Sequence, residues 1–342
     1  MIKNTVNKGL LLALLGAMMI PAGLQAQSKV GTTAAPFLGI SVGPKAGAMG
    51  DAFVAMGSDA TALFYNPGAI SRSGKSQFLF SHTSWLVNTS FNWVGFVLNL
   101  DGENAVGVSF TSLDYGEEEV TTVLEPEGTG DFWTAGDMSI ALTYARNLSD
   151  RFSIGGSAKY ISQRIWHEKA TAFAMDVGLL FITDFNNMRL GMSISNFGSD
   201  MRMDGNDLLH RVDLDPNVIG HNENIVANLK TEAWPLPLFF RVGVAMDVLK
   251  FDQSRLTVAV DALRPSDNTE TINIGAEFAF QNLFFVRGGY KSLFREESDS
   301  GLTFGFGANV PVGGMMEWQL DYTFATYGLF EDVHMISVGL IL

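Results

Sequence analysis

Met138-Ser139-Ile140-Ala141-Leu142-Thr143-Tyr144-Ala145 reads in steps of two. Side chains alternate across a strand, so Met138, Ile140, Leu142 and Tyr144 share one face, while Ser139, Ala141, Thr143 and Ala145 share the other. The same pattern returns in Phe173, Met175, Val177, Leu179 and Phe181 against Ala174, Asp176 and Gly178, and in Met188, Leu190, Met192 and Ile194 against Arg189, Gly191, Ser193 and Ser195. It returns again in Phe240, Val242, Val244, Met246 and Val248, in Ile272, Ile274 and Phe278, and in Trp318, Leu320, Tyr322 and Phe324. In each case the charges fall on the small, polar face.

A soluble sandwich also alternates, with its apolar faces turned inward. Loop lengths separate the two. Strands are expected at roughly 76–86, 91–100, 104–113, 137–147, 151–163, 171–182, 188–198, 236–248, 255–263, 271–281, 284–293, 301–310, 314–324 and 333–342. Every second connection is a tight turn, as at Asp101 to Glu103, Leu148 to Asp150 and Gln281 to Leu283. The alternate connections are longer, at 114–136, 164–170, 199–235, 264–270, 294–300 and 325–332; only the first, near Val87 to Ser90, is short. An even strand count with long loops on one side and short turns on the other is the pattern of an outer-membrane barrel. The fold class expected is therefore all-β: a transmembrane antiparallel β-barrel of about fourteen strands, spanning 76–342.

The start of the chain agrees with export. Lys3 and Lys8 precede an apolar run from Gly9 to Ile20 and a small-residue stretch ending at Ala26, the form of a signal peptide over 1–26. No later run reaches the roughly 20 apolar residues that a membrane-spanning helix needs. The chain has no Cys and a formal charge of −14, and loss of Lys3 and Lys8 would leave it two charges more acidic. An acidic, exported chain is a poor fit to nucleic acid. Seven acids and no base lie between Asp114 and Gly136. Solvation accounts for them, and a cation or partner site is the alternative. Trp85, Trp93, Tyr115, Trp133, Trp166, Trp234 and Tyr290 fall near strand ends, where aromatic belts are expected.

Residues 27–75 lack the alternation. They are rich in Gly and Ala, which permit close backbone approach, and they read as a compact plug within the lumen. Asp59-Ala60-Thr61-Ala62-Leu63-Phe64-Tyr65 is expected to be a short helix with Asp59 as N-cap, stopped by a turn at Asn66-Pro67-Gly68. The run Gly47-Ala48-Met49-Gly50-Asp51-Ala52-Phe53-Val54-Ala55, with Asp59-Ala60-Thr61-Ala62-Leu63-Phe64-Tyr65-Asn66-Pro67, resembles the N-terminal signature of the PorV/PorQ proteins, a branch of the FadL-like outer-membrane barrels. Gly68 stands where those proteins usually carry Ala. The resemblance implies a fourteen-stranded barrel with this segment as an internal hatch. It also implies one of two roles: acceptance of secreted cargo at the cell surface beside type IX secretion subunits, or passage of hydrophobic molecules sideways through a gap in the wall.

The lumen-facing charges are Lys159, Arg189, Arg241, Arg287 and Lys291 with Asp176, Asp247, Asp261, Glu277, Glu317 and Asp321. Unpaired burial would be expensive, so they should pair with one another, with water, or with Asp51 and Asp59 of the plug. They form either an anchor for the hatch or a polar track for substrate. The five His (His82, His167, His210, His221 and His334) form no catalytic motif. Ser139, Ser153 and Ser193 read as small lumen fillers. Asp204, Asp207, Asp213 and Asp215 do not match a calcium loop, and Gly305-Phe306-Gly307 lies within a strand, so no metal or cofactor is expected. The loop 199–235, with Leu208, Leu209, Val212, Val218, Ile219 and Ile225, is the candidate partner surface. Gly155, Gly178, Gly243, Gly275 and Gly305 leave lumen room under either role.

Overall fold

The computed structural model describes residues 29–57, 59–213, 225–295, 298, 300–314, 316–330 and 332–342. The signal-peptide reading and Asp215, Val218, Ile219 and His221 lie outside them.

Fourteen antiparallel strands close on themselves: β1 (Gln77–Ser84), β2 (Ser90–Asn99), β3 (Asn104–Glu119), β4 (Phe132–Asn147), β5 (Phe152–Ile165), β6 (Glu168–Ile182), β7 (Arg189–Gly198), β8 (Phe239–Lys250), β9 (Ser254–Pro265), β10 (Thr271–Phe280), β11 (Phe284–Leu293), β12 (Ser300–Val312), β13 (Met316–Tyr327) and β14 (Val333–Ile341). Each bonds to the next, and β14 returns to β1 with Gln77 opposite Ile341 and Ser84 opposite His334. Closure removes the unpaired edges that hydrocarbon could not satisfy.

The alternation maps onto the wall as its physics demands. On β4, Leu142 and Tyr144 are 65% and 50% exposed outward, whereas Ala141 and Ala145 are buried inward. The connection from β1 to β2 turns on Val87 and Asn88, both at positive φ (55° and 56°), as a two-residue hairpin requires. Gln281 and Asn282 do the same between β10 and β11.

Three differences from the sequence reading have physical causes. The hairpin β3–β4 runs well past its expected end, because beyond a bulge at Asp114 the glutamates continue the ladder, with Glu117 opposite Thr134 and Glu119 opposite Phe132. Charge marked this stretch as loop, yet strand pairing satisfies its backbone while its carboxylates stay in solvent. Loop 199–235 has structure of its own: Met201–Arg202 pairs with Ala233–Trp234, Leu209–Val212 with Ile225–Asn228, and Asp204–Gly205 adds to β6. Trp93 is no belt residue; it points inward, is fully buried, and covers Gly95, where a Cβ would meet its ring at 2.1 Å.

The plug descends through the lumen as a 3-10 turn (Pro36–Gly39), α1 (Pro44–Ala48), α2 (Ala62–Tyr65) and a second 3-10 turn (Pro67–Arg72). The helix expected from Asp59 is shorter than foreseen. The Asp59 carboxylate accepts from the backbone and hydroxyl of Thr61, and this local turn delays the helix to Ala62. Asn66-Pro67-Gly68 does not simply stop the chain but opens the second 3-10 turn, with Asn66 Oδ1 accepting from Gly68 at 3.1 Å. The largest buried side chains, including Phe37, Phe53, Tyr65, Ile70, Phe91 and Trp93, lie between plug and wall. The core of this barrel is its bore.

Candidate functional site

Plug and wall meet in layers. Nearest the long-loop end, Asp51 of the plug sits at positive φ (64°) directly after Gly50 (63°). That double left-handed turn places its carboxylate 2.5 Å from Lys291 Nζ of β11. Tyr65 Oη donates to Asp51 at 2.9 Å, Ser41 Oγ donates to it as well, and Lys291 donates to Ser41 at 2.8 Å. Burial works to raise the Asp51 carboxyl, but Lys291 and the two hydroxyls outweigh it and hold it below its usual 3.8. The same burial, with the Asp51 charge beside it, drives the Tyr65 phenol well above 10. Arg241 of β8 completes the layer, its guanidinium 4.9 Å from the Phe239 ring, 5.7 Å from Phe64 and 5.9 Å from Tyr65.

Below this, wall side chains satisfy plug backbone. Asp261 of β9 accepts from the amides of Phe53 and Val54 at 2.7 and 2.8 Å. Thr303 Oγ1 donates to the Ala48 carbonyl and accepts from the Gly50 amide, and Thr323 donates to the Pro44 carbonyl. Lys45 pairs with Asp59 at 3.3 Å within the plug. Asn66 Nδ2 donates to Val54 O at 2.8 Å and to Leu179 O of β6 at 3.0 Å, so one amide ties two plug segments to the wall. Asn66→Ala is expected to strand two buried carbonyls and the Gly68 amide, at about 1–3 kcal/mol for each group left dry. Limited proteolysis of the folded barrel checks this: cuts should appear within 29–75 in the variant and not in the parent.

Nearest the short turns the charges pair mostly within the wall, though Arg189 also donates to the Met56 carbonyl of the plug at 3.3 Å. Arg287 donates to Glu277 at 2.8 Å and to Asp321 at 2.5 Å; Arg255 reaches Glu277 at 3.1 Å, and Arg189 lies 3.5 Å from Asp247. Glu317 stands apart at the rim with Lys75, at 2.6 Å. On the opposite side, Lys159 bridges Asp176 at 2.6 Å and Asn196 at 2.8 Å. Asn196, at φ 65°, sits in a bulge where β6 and β7 shift register and sends its amide to the Pro237 carbonyl.

The pairs described above also draw in Arg255, Asn196, Ser41, Thr303 and Thr323, which sequence reasoning did not name. Arg255 opens its strand, where alternation is hardest to read; the others are small polar residues that carry no pattern until a partner arrives. The room credited to the lumen glycines is occupied. A Cβ at Gly178 would meet Asn66 Oδ1 at 2.2 Å, one at Gly155 would meet Pro67 O at 2.5 Å, and one at Gly275 would meet Met49 O at 2.4 Å. Two cavities beside the plug, of about 50 Å³ against Arg241 and about 10 Å³ against Thr303, have room for no more than a few waters. A larger groove of about 490 Å³ opens where the β7–β8 ladder ends at Ser195 and Phe239, between Phe197, Pro235, Leu236 and Leu238 on the wall side and Lys29, Thr32 and Thr33 at the start of the plug segment.

Residues 23–208 match the family model described as type IX secretion system protein PorV, more than half of the chain. No curated protein matches. Among solved structures the chain is similar to the CymD monoaromatic hydrocarbon channel, with a TM-score of 0.58 and 12% identity over 88% of this chain and 97% of that one. It is also similar to the toluene transporter TodX of P. putida, with a TM-score of 0.51 and 11% identity over 86% and 97%. At these identities the likeness is one of fold.

Proposed function

We propose, from the premise that this chain belongs to the family of type IX secretion system protein PorV, that it is a stoppered outer-membrane barrel whose work is done on its long-loop side. There it docks secretion subunits and the proteins they deliver. The filled bore carries this reading. A conduit needs a continuous apolar path, and between Asp51 and Asp261 the lumen is a ladder of plug-to-wall hydrogen bonds with cavities too small for a ligand. The outer side offers surface instead. The β3–β4 hairpin holds Val123 and Leu124, 99% and 92% exposed, at the tip of a paired acidic stem, and loop 199–235 adds exposed Leu209, Val226 and Trp234. Apolar side chains held out into solvent on an ordered hairpin mark a contact surface.

Deleting the gene is expected to abolish surface delivery of proteins bearing a type IX sorting domain and to leave uptake of long-chain fatty acids unchanged. Cell-surface protease shaving and labelled oleate uptake read the two arms. A second reading, passage of hydrophobic molecules, draws on the groove at the end of the β7–β8 ladder. The reverse phenotype, with delivery intact and uptake lost, would establish it in place of docking.

A further inference from the structure

The outward face of β5 differs from its neighbours. Along the membrane-facing wall, Gly156 stands between Tyr144 of β4 and Val177 of β6, and Ala158 stands between Leu142 and Met175. Two small residues in line, with large ones on both flanks, leave a furrow. Phe173 and Met175 form one bank, 70% and 60% exposed, and Leu142 and Tyr144 form the other. Tyr160 packed on Phe173, with ring centroids 5.4 Å apart, closes the upper end. From Ile154 to Tyr160 the furrow runs roughly 20 Å, at about 3.3 Å per residue. Its lower part is an open groove of about 470 Å³ lined by Tyr144, Arg146, Leu148, Ile154, Gly156 and Val177.

The glycine is not there for the plug. Gly155 beside it faces inward, where a Cβ would meet Pro67 O at 2.5 Å, but a Cβ on Gly156 would meet only the Asp176 carbonyl at 3.3 Å. The foot of the groove carries Arg146, exposed, two residues from the turn that begins at Leu148; among the described residues it forms no salt bridge, and the Asp101 carboxylate near it feels its charge without pairing with it. A guanidinium on the outer wall at that height belongs at the headgroup level, since a basic side chain is costly at the bilayer centre and nearly free at the interface.

We infer that this furrow is a binding site for one glycerophospholipid of the leaflet on the short-turn side, its phosphate on Arg146 and one acyl chain along Gly156 and Ala158. In hydrocarbon an apolar groove gains nothing from the hydrophobic effect, so fit and charge decide which lipid stays. The furrow supplies the fit and Arg146 supplies the charge. The inference rests on the barrel spanning a membrane and not on what its long-loop side docks.

The full chain, purified in a mild detergent and titrated with phosphatidylglycerol or with phosphatidylcholine of the same acyl chains, tests it by native mass spectrometry. The parent is expected to retain one phosphatidylglycerol in preference to phosphatidylcholine. Arg146→Gln should weaken retention roughly fivefold, the factor one basic residue contributes beside an anionic surface. Gly156→Leu fills the groove from a lipid-exposed position and should abolish retention of either lipid while leaving the heat-modifiable mobility of the folded barrel unchanged. Equal retention of both lipids by the parent and both variants would overturn the site and leave only ordinary annular lipid. A parent that purifies as a dimer, split by Gly156→Leu, would overturn it in favour of a second copy in the furrow.

Discussion

Arg287→Met is expected to lower the unfolding free energy of the barrel by about 3–5 kcal/mol, the effect of removing one partner from a buried ionic group. Arg287, Glu277 and Asp321 are each about 2% exposed at the side chain. One guanidinium therefore neutralises two carboxylates from different strands, and its loss leaves both in a dry lumen. Arg255 still reaches Glu277, but nothing comparable is left for Asp321 beyond the Gln319 amide at 2.8 Å. The control is the variant that also carries Glu277→Gln and Asp321→Asn. Removing these three charges should restore most of the loss, because a buried ion pair contributes little over a neutral group of similar shape and the partly exposed Arg255 keeps Asp247 at 4.0 Å. Urea unfolding in lipid vesicles, followed by tryptophan fluorescence and by the heat-modifiable gel shift, measures both. A single variant within about 1 kcal/mol of the parent would mean that water reaches this layer freely.

Alternation assigns each of these residues a face and, outside the short hairpins, leaves its partner open, for a physical reason. A period of two says whether a side chain points in or out; pairing depends on register and on strand tilt, which bring together residues far apart in sequence. Glu277 and Arg287 face each other across β10 and β11, and that pair follows from a short hairpin. Lys291 with Asp51 does not, because one lies near the end of a wall strand and the other in a segment without periodicity. The same limit explains Trp93. Its place near a strand end suggested the membrane interface, but parity put it on the face of Phe91 and Val97, and parity won. The acidic hairpin was misread in the opposite sense: charge implied loop, although paired strands in solvent tolerate charge on both faces.

The glycines carry the last of the unread information, and they lead to the largest functional change expected here. Gly191→Val combined with Gly275→Val places side chains where only plug backbone now fits, at 2.3 Å from Val54 O and 2.4 Å from Met49 O. Both obstacles are main chain, and contacts under 3 Å with main chain are not relieved by a rotamer. Overpacking of this kind typically costs about 1–3 kcal/mol at each site. The wall is a closed ladder in which every strand is held on both sides, so the plug is the weaker body and should be displaced. The variant is expected to keep the heat-modifiable mobility of a folded barrel, to become cleavable within 29–75, and to pass ions in planar bilayers where the parent is silent. Gly288→Val is the matched control, since a Cβ there would meet only the Phe304 ring and neighbouring backbone at 3.7 Å or more, and it should stay closed. If the double variant is as silent as the parent, the plug can yield within the bore without leaving it. The stopper would then be held by its hydrogen bonds to Asp261 and Thr303, and by that of Asn66 to the Leu179 carbonyl, more than by its fit, and Asn66→Ala added to the pair would be the step that opens the barrel.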